Sequence, residues 1–364
     1  MFNELVWSMS PPARTGVYSW NSRKGVSEMR HRFLLSLSAT AVAIAALATI
    51  SITAQAPKSS ARPVLRTAWG APDLQGVWDF RTITPVERPK DLTGKAVLSG
   101  VEAADFEKRQ NVRNDRDTNV PAGNVGDYNQ FWYDWGTRIR GAKRTSLITD
   151  PPDGRIPPLT AEAQRKRDAL AEKRRGIEPD MPTPGGFVQD LGPGGLRVRC
   201  ILGFNSGPPM TPSAYNNNVQ IFQTPNQVGM LNEMVHNARI VPLDGRPHGT
   251  LRQWTGDSRG RWEGNTLVVD TVNFKEPTLA AGTVMSESMH LIERFTRLDT
   301  DTLLYEFTVE DPATWTKPWT AQMYMVKSPE PMYEYACHEG NYGLYNILSG
   351  ALKRDEAAGK KGSR

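Results

Sequence analysis

The chain has 364 residues, of which 23% are charged and 38% hydrophobic, proportions that describe a soluble globular protein able to bury one large core or two modest ones. Its formal net charge is +5, but residues 1–56 hold five of the 44 Lys and Arg and two of the 39 acids, which leaves 39 basic against 37 acidic residues in the remainder. That near balance excludes the footprint of a nucleic-acid-binding protein.

The first element in chain order is "MRHRFLLSLSATAVAIAALATISITAQA", Met29 to Ala56. A basic start at Arg30 and Arg32, a long apolar run and the small-residue ending Ala54-Gln55-Ala56 form the pattern of a secretory signal peptide cleaved after Ala56. An uncleaved anchor is the alternative, because the run from Phe33 to Ala54 is long enough to cross a bilayer. Interspersed Ser and Thr and the polar spacer Pro57-Lys58-Ser59-Ser60 favour cleavage. A signal peptide begins with its basic region, so Met29 is the expected start and residues 1–28 an upstream mis-start. Export predicts a periplasmic or secreted protein with no membrane contact after cleavage, since no other apolar run could span a membrane.

Both cysteines, Cys200 and Cys337, fall in the exported part. In an oxidising compartment an isolated pair reads first as one disulfide, the alternative being free thiols or metal ligands. Joining positions so far apart in sequence restricts the unfolded chain by about 4–5 kcal/mol in the loop-entropy model.

Residues 57–214 are rich in Pro, Gly and charge and are expected to wrap the core with short helices. "SGVEAADFEKRQNVR" starts at a Ser99 cap, and "LTAEAQRKRDALAEKRRG" starts at Thr160, carries Glu162 in its first turn and ends at Gly176. The second has a thin apolar stripe of Ala163, Leu170 and Ala171, which predicts a surface helix whose basic residues form a solvated face.

Residues 215–350 change texture to strands. "NVQIFQT", "VGMLNEMVHNARIV", "RQWTGD", "GRWEGNTLVVDTVNF", "MHLIERFTRLDTDTLLYEFTVED", "WTAQMYMVK" and "MYEYAC" are short, rich in β-branched and aromatic residues, and divided by turn residues. Glu263-Gly264-Asn265 and Leu298-Asp299-Thr300-Asp301 sit at hairpin spacing. The fold class is therefore mainly β, an antiparallel meander closing into a barrel or sandwich, with an early strand near Gly76-Val77-Trp78 joining to close the sheet. Residues 351–364 read as a polar tail. Alternation puts Leu303, Tyr305, Phe307 and Val309 on one face, and it sets Met289, Leu291, Glu293 and Phe295 opposite His290, Ile292, Arg294 and Thr296. On a strand His290 and Glu293 point apart, as do Glu233 and His236.

Four histidines lie outside the leader, His236, His248, His290 and His338, all in the strand-rich half. Three imidazoles with a carboxylate suit zinc, copper or non-haem iron; a His with Glu233, Glu293 or Glu339 suits acid–base catalysis. No His-Glu-x-x-His, Gly-x-Ser-x-Gly, phosphate loop or Cys-x-x-Cys is present. His248, in the loop "LDGRPHG", reads as a surface or hydrogen-bonded residue. The Asn216–Asn218 run reads first as an Asx-stabilised turn, the alternative being an amide-lined ligand site. Trp315 and Trp319 suit stacking on a ligand if exposed, or plugging a barrel end if not.

The segments "PDLQGVW", "TSLITDPPDGRIPPLT", "PPMTPSAYNNNVQIFQT", "NEMVHNARIVPLDGRPH" and "YEYACHEGNYG" together resemble an uncharacterised family of secreted bacterial proteins, over about Pro72 to Gly350. That resemblance implies no activity. Gly76-Val77-Trp78 is similar to the Gly-x-Trp opening of lipocalin-like barrels, which implies a central cavity for a small apolar ligand.

The expectation is an exported enzyme of lyase, isomerase or hydrolase type acting on a small hydrophobic or aromatic molecule. His338, Glu339, His236 and His290 are its acid–base candidates, and Tyr333, Tyr335, Asn218, Trp315 and Trp319 contact the substrate. The residues commit to no cofactor; a divalent transition metal on His236, His290 and His338 is one alternative. A periplasmic carrier without chemistry is another.

Overall fold

The computed structural model describes residues 65–118, 129–177, 181–184, 191, 195–275, 278–279 and 283–359. The mis-start, signal-peptide and cleavage expectations fall outside the described residues.

The chain folds around one antiparallel sheet. Its strands are β1 Gly76–Asp79, β2 Ile148–Asp150, β3 Asn218–Gln223, β4 Gln227–Asn232, β5 Ala238–Pro242, β6 Asp257–Glu263, β7 Thr266–Val272, β10 His290–Arg297, β11 Thr302–Glu310 and β12 Trp319–Lys327. The short pair β8 Thr278–Leu279 and β9 Thr283–Val284 stands apart from it. Neighbours run β5-β4-β3-β1-β12-β11-β10-β7-β6, with β2 added beside β12. The early strand takes the closing place: β1 pairs with β3 (Val77 opposite Gln220) and with β12 (Asp79 opposite Val326), so it joins two halves of the sheet.

The free edges, β5 and β6, are consecutive in sequence and come together to give a nearly closed barrel. At Gly260 of β6 an added Cβ would lie 2.8 Å from Val241 Cγ1 and 2.6 Å from Leu243 Cδ2. Only glycine permits that approach. Both expected hairpins form: Gly264, at φ +61°, and Asn265 link β6 to β7, and residues 298–301 link β10 to β11. The expected alternation holds in β10 and β11, whose every second side chain is buried.

Inward side chains fill the barrel. Trp78, Ile221, Met230, Val241, Val269, Phe295, Tyr305, Phe307, Trp319 and Met323 belong to one continuous core, which also takes in Leu74, Phe80, Leu147, Ile148 and Met210 from the Pro- and Gly-rich region. That region is thus part of the core's packing as well as its wrapping: Gln322 N–H bonds Leu147 O and Thr160 N–H bonds Thr314 O. Among the described residues, packed side chains fill the interior where the lipocalin likeness implied a cavity, because large residues on facing strands meet across it.

Helix α1, Gly100–Asn114, starts at Ser99 with a capping box, Glu102 N–H to Ser99 Oγ and Ser99 N–H to Glu102 Oε2. Helix α2, Ala161–Lys173, is capped by Thr160 and buries no residue, as its thin stripe predicts. The one-turn α3, Gly195–Val198, precedes Cys200. Three expectations change. "RQWTGD" contributes only an isolated bridge at Gln253 before β6 begins. "MYEYAC" pairs with no strand among the described residues, so strand parity does not place its side chains. The polar tail starts later than expected, because α4, Tyr342–Ala357, capped by Asn341 Oδ1 on Leu344 N–H, runs through residue 351.

Candidate functional site

A tight turn after β4 positions the first functional side chain. Met234 and Val235 are consecutive and both buried, packed with Cys200, Cys337, Phe204, Tyr215 and Tyr335. Burying two adjacent side chains on one side requires an irregular backbone, and Val235 (φ +59°) and His236 (φ +40°) adopt the left-handed region. For a β-branched residue this conformation costs of order 1–3 kcal/mol. His236 is turned outward as a result.

The disulfide Cys200–Cys337 brings the other partner. It anchors an irregular segment whose next residue, His338, sets its ring centre 5.8 Å from that of His236, the planes inclined at 43°. His236 Nδ1 lies 3.0 Å from Tyr335 O. A carbonyl only accepts, so Nδ1 carries the proton and Nε2 of the neutral ring keeps its lone pair. His338 and Glu339 are exposed, Tyr333 is 73% exposed, and Tyr335 packs on the disulfide. Asn218 Nδ2 donates to Glu233 Oε2 at 2.8 Å, which engages both groups in the fold.

His290 is not part of this pair. It projects from the outer face of β10, with Nδ1 2.9 Å from Glu310 of β11 and Nε2 2.9 Å from Asp270 of β7. Asp270 also holds His248 Nε2 at 2.9 Å, and His248 Nδ1 is 3.3 Å from Asp257. With both ring nitrogens of His290 taken, a metal centre of His236, His290 and His338 is not assembled. Among the described residues no group of three or more His, Cys, Asp or Glu has a metal-binding arrangement.

The array is a proton-linked clamp on the loop that joins β5 to β6. Burial lowers the His290 pKa, but hydrogen bonds and charge from Asp270 and Glu310 outweigh it and raise the group above its ordinary value. Burial raises Asp270, and His290 and His248 overcome that to lower it. The raised His290 therefore stabilises fully below about pH 6.5 and loses this as pH rises through its folded value; the lowered Asp270 stabilises above about pH 4 and loses this as pH falls through its own. Between those limits wild type is expected to exceed His290→Gln most in stability, the difference narrowing as pH rises through the raised His290 value. Urea unfolding at a series of pH values measures it, and a pH-independent difference contradicts the clamp.

Trp315 and Trp319, proposed as ligand contacts, are 2% and 0% exposed and meet edge to face at 5.6 Å. They plug the core beside Phe307, the other role open to them. Glu293, a carboxylate candidate, is fully buried and bidentate to Arg239, with Nη1–Oε2 2.5 Å and Nη2–Oε1 2.7 Å. Tyr305 Oη donates to Glu293 at 2.7 Å and accepts from Met210 N–H at 3.1 Å. Burial, then the Glu293 charge, raises the Tyr305 phenol well above its usual range and keeps it neutral. This network has no room for substrate; it is structural.

An open cleft of about 420 Å³ lies beyond the end of β1, lined by Arg81, Arg140, the last turn of α1 (Asn111, Asn114) and Gln130, Tyr133 and Trp135. Asp79, 5% exposed, anchors it by accepting from Arg81 Nη2 at 2.9 Å and Arg140 Nη2 at 2.8 Å; Arg81 also pairs with Asp134. Those bonds with Asp79 and Asp134 hold Arg81 firmly in its charged form. Tyr133 and Trp135 stack at 5.0 Å, 3° from parallel, with the Arg116 guanidinium 5.1 and 5.7 Å from their centres. A second recess of about 270 Å³ shares Asn114 and Trp135 and adds Ile83, Pro85, Val86 and Leu147. No histidine lines either recess. Sequence reasoning missed this cleft, although "NQFWYDWG" concentrates four aromatic residues beside a helix end. Among the described residues no helix is long and apolar enough to cross a membrane. No protein-family model matches the chain, and no curated protein matches it either.

Proposed function

We propose that the protein is an exported carrier that binds a small aromatic molecule rich in hydrogen-bond acceptors in the cleft beyond β1. The observation that carries this reading is the pairing of a stacked Tyr133–Trp135 wall with donors left over after internal bonding. Asp79 and Asp134 are consumed by arginines, and Asp115, also in the lining, accepts from the Asp117 and Thr118 N–H groups, whereas Arg140 spends one N–H on Asp79 and the Asn114 amide bonds nothing among the described residues. A ligand that supplies acceptors, such as a carboxylate on a ring, complements that balance. The neighbouring apolar recess suits the ring. The enzyme reading is weaker, because His236 and His338 face solvent outside both recesses and Glu293 is sealed in the core. Export rests on the Met29–Ala56 pattern together with a disulfide, a bond that persists in oxidising compartments.

Calorimetric titration with benzoate, indole-3-acetate and related aromatic carboxylates tests the reading. Trp135→Leu and Asn114→Leu are each expected to weaken binding roughly threefold to tenfold, with His236→Gln and His338→Gln unchanged and no turnover in any variant. Ligand conversion that disappears in the histidine variants would establish the enzyme instead.

A further inference from the structure

We propose that His236 and His338 form a surface binding site for a divalent transition metal, copper(II) ahead of zinc(II). With metal–nitrogen bonds of about 2.0 Å, two imidazoles sharing one ion have ring centres at most about 6 Å apart. The observed 5.8 Å lies inside that reach, and the exposed His338 side chain can rotate to shorten it.

The His236 ring is prepared as a ligand. Its Nδ1–H is held by Tyr335 O, the outer-shell bond that fixes the tautomer and leaves Nε2 basic and available. The His338 ring makes no hydrogen bond among the described residues, its backbone carbonyl alone accepting from Asn341 N–H, so its nitrogens are free to turn to the same ion. Three features hold the rings together: the left-handed turn at Val235 and His236, the disulfide immediately before His338, and Asn341, which donates to Val198 O at 3.2 Å across the same junction. Simple packing does not account for the pairing, because both rings are exposed. Imidazole nitrogen in a site with open positions binds copper(II) more strongly than zinc(II) and far more strongly than manganese(II); water completes the shell.

The site is independent of whatever occupies the cleft. The test is calorimetric titration of the full exported protein, prepared without a histidine tag, with copper(II), zinc(II) and manganese(II), accompanied by copper electron paramagnetic resonance. Wild type should bind one copper equivalent with nitrogen hyperfine splitting from two imidazoles, zinc more weakly and manganese not measurably. His236→Gln and His338→Gln, both surface changes that leave the core intact, should each weaken copper at least about tenfold, the scale on which even outer-shell losses act. His290→Gln should leave copper affinity unchanged. Retention of affinity in either the His236 or the His338 variant, or its loss in His290→Gln, would overturn the assignment.

Discussion

Glu293→Ala is expected to destabilise the protein by about 3–5 kcal/mol, the cost of leaving a buried charge without its partner. Arg239 is on β5, one edge of the sheet path, and Glu293 is on β10, separated from the other edge strand β6 by β7. Their bidentate contact therefore runs across the barrel interior and ties together walls that no backbone ladder joins directly. Removing the carboxylate strands the guanidinium beside Met230 and Tyr305, and it also removes the acceptor of Tyr305 Oη. The double replacement Arg239→Met with Glu293→Leu should recover most of the loss, because desolvation of both charges is then avoided. Urea unfolding of the two single variants and the pair measures this. A loss below about 1 kcal/mol in Glu293→Ala contradicts a fully buried pair.

Replacing both Cys200 and Cys337 by serine is expected to cost about 4–5 kcal/mol on the loop-entropy model, given 137 residues of separation. The structural consequence should be local as well. Residues 331–341 have no sheet partner among the described residues and are held by the disulfide, by the Tyr335 and His236 contact and by Asn341. Hydrogen exchange in the serine variant should show protection lost first around residues 331–341 and the Met234–His236 turn, with β10, β11 and β12 retaining theirs. Equal loss in the core strands would mean the disulfide supports the barrel itself.

The strand series was legible because local chemistry dictates it. Gly264-Asn265 supplies a tight hairpin, β10 and β11 alternate strictly, and Ser99 and Thr160 cap helices with bonds to residues three positions away. The disulfide followed from having two cysteines and an export pattern. Parity put Glu293 on one face with Leu291 and Phe295, and the structure shows that face to be buried. Parity could not supply Arg239, since a charge on a nonadjacent strand leaves no trace in local sequence. Likewise Trp315 and Trp319 gave an apolar signal that fits a plug or a platform equally, and only packing against Phe307 decides. The strand expected at Met332–Cys337 does not form: Tyr335 packs on the disulfide and Tyr333 faces solvent, so the alternating side chains line no sheet edge. The cleft draws on residues near 81, 111–115 and 130–140, segments far apart in the chain, and His236 and His338 meet through a turn strained against the preference of Val235.

On the proposed carrier function, a ligand is expected to bind outside the barrel, in the cleft, while the interior stays packed. Fluorine NMR of protein labelled with 5-fluorotryptophan, resonances assigned by single substitution, tests it most directly during titration with an aromatic carboxylate. The Trp135 resonance should shift and saturate, with those of Trp78, Trp315 and Trp319 stationary. Movement of the three core tryptophans with Trp135 unchanged would put the ligand inside the barrel and contradict the account.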